Sequence, residues 1–198
     1  MKEKACFLDR DGTLNVEVNY LHEPEKLILE KNVPEALQLL RDNGFKLVVI
    51  TNQAGVARGM YEEKDIIAVH EKMQELLTPY NVKIDKFYYC MHHPEFNGEC
   101  DCRKPGTALF KQAAEDLNID LEQSFMIGDR LSDIEAGENA KCRKTYLLKS
   151  GYGIKTILAN PDRPFNIAED ILEAARKIVN TERNLSQKIT LCSHCGEI

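Results

Sequence analysis

The chain has 198 residues, 43% of them hydrophobic, and a formal net charge of −6. That length supports one well-buried core and is marginal for two. No apolar run approaches the roughly 20 residues that span a bilayer, and the acidic balance argues against a nucleic-acid binder, which would usually show a basic face. The start, MKEKACFLDR, lacks the long apolar stretch and small-residue cleavage site of a secretory leader, so a cytoplasmic protein is expected. In a reducing compartment the seven cysteines are thiols or metal ligands rather than disulfides, and three of them crowd into residues 90–102.

The first apolar segment, residues 5–8, is a short strand that runs directly into DRDGT. Loop signals continue to Pro24. Pro34 then opens a helical pattern with Val33, Leu37 and Leu40 on one face and Gly44 as its stop. FKLVVIT, residues 45–51, is a continuous apolar run, as expected of a strand buried on both faces. A helix is expected over residues 62–77, a strand over 83–90, then a polar loop rich in Cys and His. GTALFKQAAEDLN is helical, SFMIGD is the fourth strand, LSDIEAGENA another helix and KTYLL a fifth strand. From Ile154 the pattern weakens: ILANPDRPFN is loop-like and AEDILEAARKIVN is the closing helix. This gives one domain over residues 1–180, with 181–198 as a mobile tail.

Alternating strands and helices imply a doubly wound α/β fold, a parallel sheet with helices on both faces. Ligands in such sheets bind beyond the carboxyl ends of the strands. Three strands here end in DRD, TNQ and GDR, so the polar chemistry falls where the architecture places a site.

Asp9 and Asp11 stand one residue apart at the first strand end. Two carboxylates that close repel unless a cation sits between them or one holds a proton. A carboxylate can attack phosphorus when a divalent cation neutralises the phosphoryl oxygens, and Mg²⁺ suits oxygen ligands. The second aspartate can serve the leaving oxygen as acid and water as base. An ordinary Asp-Gly turn is the plainer alternative. Thr51, Lys104, Asp129 and Asp133 are weak signals singly: a strand-ending turn, a solvated lysine, helix-start acidity. Lys104 in CRKPG is a candidate to neutralise a phosphoryl group, with Arg103 beside it for a second anion.

Together DRDGT, TN, K-P and GDRLSD stand in the order and at the strand ends of the haloacid dehalogenase superfamily of phosphotransferases, which residues 5–152 resemble. The resemblance implies Asp9 as the phosphorylated nucleophile and Asp11 as acid/base. It implies Mg²⁺ held by Asp9, Asp129 and the Asp11 backbone carbonyl, with Thr51 and Lys104 on the phosphoryl group and Asp133 in support.

Cys90, His92, Cys100 and Cys102 supply three thiolates and an imidazole, the donor set of a closed structural Zn²⁺ site. His92 is preferred to His93 because it shares C-x-H spacing with Cys90. Such a clip, one residue before Arg103 and two before Lys104, would set where those cations lie. The loop resembles one branch of the superfamily, small phosphatases without a large cap, acting on heptose bisphosphates or on histidinol phosphate. NVEVNYLHEPE, TNQAGVARGMY and YYCMHHP resemble the heptose enzymes. The short interval between the ligand pairs is closer to the histidinol branch.

The resemblance thus implies a monomeric phosphatase that takes the 7-phosphate from a heptose 1,7-bisphosphate, with no nucleic-acid or membrane partner. Glu17, Val18, Asn19, Tyr20, Asn52, Gln53 and Ala54 would line its pocket. Arg103 would meet the uncleaved phosphate and Arg130 another part of the substrate. Histidinol-phosphate hydrolysis is the alternative of the same chemistry, and a zinc-stapled binding protein without catalysis the alternative of another class. Cys6 and Cys142 read as core thiols, His70 as a solvated or half-buried helix residue, and Cys192–Cys195 (CSHC) as an isolated metal or redox pair.

Overall fold

The computed structural model describes residues 2–193. Strand β1 (Lys4–Leu8) and strand β2 (Phe45–Asn52) lie in parallel at the centre of the sheet. Their side chains alternate between two separate cores. Cys6, Leu8, Leu47 and Val49 enter one; Ala5, Phe7, Val48 and Ile50 enter the other. A strand with both faces buried has no room for a polar phase, which is why the sequence shows an unbroken apolar run.

Helices α1 (Val33–Asp42), α2 (Glu63–Leu77) and α7 (Ile171–Ser193) close the first core through residues such as Leu37, Leu40, Met73 and Ile178. Helices α4 (Ala108–Asp116) and α5 (Leu131–Asn139) close the second through Phe110, Ala113 and Ala136. Phe7 and Phe110 meet there with ring centroids 4.8 Å apart. Each fully buried side chain of this size stabilises the fold by about 1.5–3 kcal/mol before entropy is counted.

Strands β3 (Lys86–Cys90), β4 (Phe125–Gly128), β5 (Lys144–Leu148) and β6 (Ile167–Ala168) complete the sheet, in the order β3-β2-β1-β4-β5-β6 with every pairing parallel. The winding reverses between β1 and β4, so a crevice opens beyond their carboxyl ends. The expected doubly wound α/β sheet is the one observed. Among the described residues there is no large cap, and no helix is long and apolar enough to cross a membrane.

Several elements differ from the sequence reading. Two-residue β6 was not expected; its pairing comes from β5, which no local pattern encodes. Helix α6 (Gly153–Ala159) occupies part of the segment read as loop. β3 begins at Lys86 rather than Lys83. α7 runs to Ser193, past Asn180 where the closing helix was expected to end. The CSHC pair extends outside the described residues. His70 is buried, not solvated: its ring stacks on Phe87 at 4.4 Å and 14°.

Candidate active site

Asp9 follows β1 directly and is 5% exposed, and Asp129 follows β4 and is fully buried. Asp133 sits in the first turn of α5, also fully buried, where its Oδ2 accepts from the Arg130 backbone N–H at 2.9 Å. Oxygens of these three carboxylates lie within 4.8 Å of one another. Lys104, which precedes a cis Pro105, reaches into them. Its Nζ lies 2.7 Å from Asp9 Oδ1 and 2.6 Å from Asp133 Oδ1, and it donates to the Ile50 carbonyl at 2.7 Å.

One lysine does not balance three carboxylates. Burial raises the Asp9 carboxyl to about 7, offset by Lys104 and reinforced by Asp133 and Asp11. Burial raises Asp129 to about 8, with Asp9 and Asp133 adding repulsion. Burial alone would lower Lys104, but Asp133 and Asp9 outweigh it and its ammonium is held more firmly than usual. Asp129 Oδ2 accepts from the Tyr152 N–H at 2.7 Å, while the buried Asp129 Oδ1 has no partner. An orphaned carboxylate oxygen facing two further carboxylates is the donor set of a hard divalent cation. Glycine is required around it: Gly12 and Gly151 have φ of +82° and +51°, and a Cβ at either would overlap Asp129 Oδ2.

The repulsion anticipated between Asp9 and Asp11 is resolved by giving each its own cation. Arg10, the residue between them, is fully buried. Its Nη2 donates to Asp11 Oδ2 at 2.9 Å and Oδ1 at 3.1 Å, and its Nε to Oδ1 at 3.2 Å. Asn15 Nδ2 and Gln53 Nε2 each add a donor at 3.0 Å. Burial would raise the Asp11 carboxyl, but Arg10, Asn15 and Gln53 outweigh it and hold it below its ordinary range. The Asp11 carboxylate is therefore held by Arg10, Asn15 and Gln53 and is not one of the three that come together at Asp9, Asp129 and Asp133. Arg10 and Asn15 escaped the sequence reading. An arginine flanked by two aspartates reads as surface charge, and only its distant partners, the Leu21 carbonyl and the Gln53 side chain just past β2, show that it is buried.

A cavity of about 410 Å³ opens over these groups. Asp9, Asp11, Thr51, Lys104 and Asp133 lie in its wall, and so do Glu17, Asn19, Tyr20, Asn52, Gln53, Ala54, Arg103 and Arg130. Val18 does not line it and is 39% exposed. Arg58, Tyr61, His93 and Tyr152 line it too and were not singled out. Arg130 stacks over Tyr152 at 3.8 Å and pairs with Glu17 at 3.0 Å. Arg58 lies over Phe96 at 4.5 Å. Three arginines around a polar cavity suit a substrate with more than one anionic group.

The Cys/His loop forms a second cluster. The Sγ atoms of Cys90, Cys100 and Cys102 lie 3.1–3.5 Å apart, with His92 Nδ1 at 3.8 Å from Cys90 and 3.4 Å from Cys102. Thiolates around zinc at about 2.3 Å stand about 3.8 Å from each other, so this cluster is consistent with a zinc site. His92 is the histidine brought in. His93 instead accepts from the Glu95 N–H at the start of α3 (Pro94–Asn97). Arg103 Nη1 donates to the His92 carbonyl at 3.2 Å, tying the cluster to the cavity.

Buried carboxylates at the β1 and β4 ends beside a cationic cavity define the class: the HAD-hydrolase-like family profile matches residues 101–174. The D-glycero-beta-D-manno-heptose-1,7-bisphosphate 7-phosphatase of Haemophilus ducreyi is 45% identical over 159 residues, covering 78% of this chain and 87% of that protein. The enzyme of the same name from Escherichia coli O6:H1 is 39% identical, covering 87% and 94%. The crystal structure of D,D-heptose 1,7-bisphosphate phosphatase from B. bronchiseptica, complexed with magnesium and phosphate, superposes with a TM-score of 0.82 at 30% identity, over 90% of this chain and 99% of that one. The chain belongs to the family of these heptose-1,7-bisphosphate 7-phosphatases, within the HAD-like hydrolases.

Proposed function

We propose that this protein hydrolyses the 7-phosphate of D-glycero-D-manno-heptose 1,7-bisphosphate, by way of a phosphorylated Asp9. The observation that carries the reading is the buried Asp9 carboxylate, 2.7 Å from Lys104, at the floor of an arginine-lined cavity. Its 45% identity to a phosphatase of that name supplies the substrate.

An Asp9 oxygen attacks phosphorus as the bond to the sugar oxygen breaks, and Asp11, ionised in the free protein, takes up a proton as the anionic substrate binds beside it and passes that proton to this oxygen. Lys104 and the Thr51 hydroxyl hold the phosphoryl oxygens. Asp11 then removes a proton from the water that splits the aspartyl phosphate. Held by Asp9, Asp129 and the Asp11 backbone carbonyl, with Asp133 in support, Mg²⁺ would add neutralisation of the phosphoryl charge. Arg103 takes the phosphate that stays. Arg130, with Glu17, Asn19, Tyr20, Asn52 and Ala54, meets the sugar. Zn²⁺ on Cys90, His92, Cys100 and Cys102 would fix the loop that carries Arg103 and Lys104.

The test is phosphate release with and without Mg²⁺ from both anomers of the heptose bisphosphate and from histidinol phosphate. The expected result is Mg²⁺-dependent release with the highest kcat/KM on one heptose anomer. Preference for histidinol phosphate would replace the substrate, and no release from any small phosphoester would leave a binding protein.

A further inference from the structure

Gln53 is 2% exposed, and every hydrogen-bonding atom of its amide is used inside the protein. Nε2 donates to Thr51 Oγ1 at 2.8 Å and to Asp11 Oδ2 at 3.0 Å. Oε1 accepts from Arg10 Nη2 at 3.1 Å and from Tyr61 Oη at 2.9 Å. The orientation is forced by chemistry: a guanidinium only donates and a carboxylate only accepts, so a flipped amide would face both wrongly. An amide with two donors and two acceptor sites already engaged has none left for a sugar.

We infer that Gln53 is a positioning residue rather than a substrate contact: one amide group aims the Thr51 hydroxyl and orients the Asp11 carboxylate together. The inference rests on the proposed function. Because Gln53 Nε2 occupies an acceptor site of Thr51 Oγ1, the Thr51 hydrogen is free to donate elsewhere, and Thr51 lines the cavity where a phosphoryl oxygen would lie. The same amide braces Asp11 against rotation on the side opposite Asn15. Phosphoryl binding and proton transfer therefore share one rigid mount, which Arg10 and Tyr61 lock from behind. Tyr61 is 7% exposed and stacks on His22 at 5.3 Å, so the lock itself is packed in place.

The discriminating variant is Gln53→Glu, which can keep an acceptor oxygen for Arg10 and Tyr61 and replaces the donating NH₂ with an acceptor. Gln53→Met, of similar length, removes all four bonds and serves as the second variant; thermal melts confirm that each folds. Steady-state kcat and KM are measured at saturating Mg²⁺ on an alkyl ester, the heptose bisphosphate, and on an aryl ester, p-nitrophenyl phosphate. The aryl leaving group departs without a proton, so it needs Thr51 but not the acid role of Asp11.

The expected result on the alkyl ester is a kcat loss of about 100-fold with KM changed less than about threefold. The loss on the aryl ester is expected to be about 10-fold. Tyr61→Phe, which frees one side of the amide, should show a smaller loss in the same direction. A rise in KM with kcat preserved would make Gln53 a substrate contact and overturn the inference, as would equal losses on both esters. If the parent protein ignores the heptose ester, the function reading fails by itself; histidinol phosphate, also an alkyl ester, then takes its place and the comparison still decides the role of Gln53.

Discussion

Two clusters in this molecule bring together side chains that could hold a metal ion, and they are arranged in opposite ways. Asp9, Asp129 and Asp133 are buried together, Lys104 pairs with Asp9 and Asp133, one Asp129 oxygen is unpartnered, and Asp9 and Asp133 line an open cavity. At the end of β3 and in the loop after it, Cys90, His92, Cys100 and Cys102 turn their four donor atoms onto one another. A closed donor set satisfies its ion and leaves no position for a substrate; an open one leaves the ion something to do. Arg103 and Lys104, adjacent in sequence, join the two: Arg103 donates to the His92 carbonyl and Lys104 pairs with Asp9.

Substitution at the open cluster should stop chemistry without unfolding the chain. Asp9→Asn is expected to lower kcat by about 10⁴-fold or more, with a Tm in metal-free buffer no lower than the parent's, since it removes one of three mutually repelling carboxylates. A variant that keeps substantial turnover would break the comparison.

Disruption of the closed cluster should do the reverse, with a large structural effect and a smaller kinetic one. Removing bound zinc with a strong chelator, or replacing Cys102 by Ser, is expected to lower Tm by about 10 °C. Because Cys102 precedes Arg103 and Lys104, KM should rise by about 10-fold and kcat should fall less than in Asp9→Asn. Equal Tm before and after chelation would show that the loop does not depend on a metal.

A smaller effect separates both clusters from the scaffold. Burial pushes His70 down to about 3, Arg10 adding to it, and its Nε2 has no partner. Unfolded, this imidazole takes a proton near its ordinary value of about 6.5. Through His70, acidification therefore favours the unfolded chain: its contribution to stability is lost as pH falls through 6.5 and goes on falling until about 3. Between pH 7 and pH 5 the loss is about 2 kcal/mol. The raised Asp9 and Asp129 carboxyls act in the opposite sense, so the readout is a difference: in urea titrations of metal-free protein the parent should lose about 2 kcal/mol relative to His70→Phe between pH 7 and pH 5, and a difference that does not change with pH would remove His70 as a source.

The site was more legible in the sequence than its supports. The four Cys/His donors carry short-range spacing that a tight loop translates directly into proximity, and Asp9 and Asp129 each end an apolar run that the parallel sheet sets side by side; Lys104, 95 residues from Asp9, was legible only in company with them. Arg10 and Gln53 carry no such signal, because their burial is decided by residues about forty positions apart in the chain. The central strands were legible because two-sided burial leaves an unbroken apolar run. β6 was not, since two residues hold no period, and α6 lacks a side-chain cap and an acidic first turn to announce it. His70 reads as polar on a helix until β3 supplies Phe87 as its stacking partner.

Phosphoryl transfer to Asp9 itself is the step on which the proposed function turns. The direct measurement is to mix an Asp11→Asn variant, slowed in releasing phosphate, with Mg²⁺ and the heptose bisphosphate, reduce with borohydride, and map the modified residue by mass spectrometry. An acyl phosphate at Asp9 is reduced to homoserine at position 9, and that is the expected result. Reduction at another carboxylate, or none while phosphate is still released, would contradict the account.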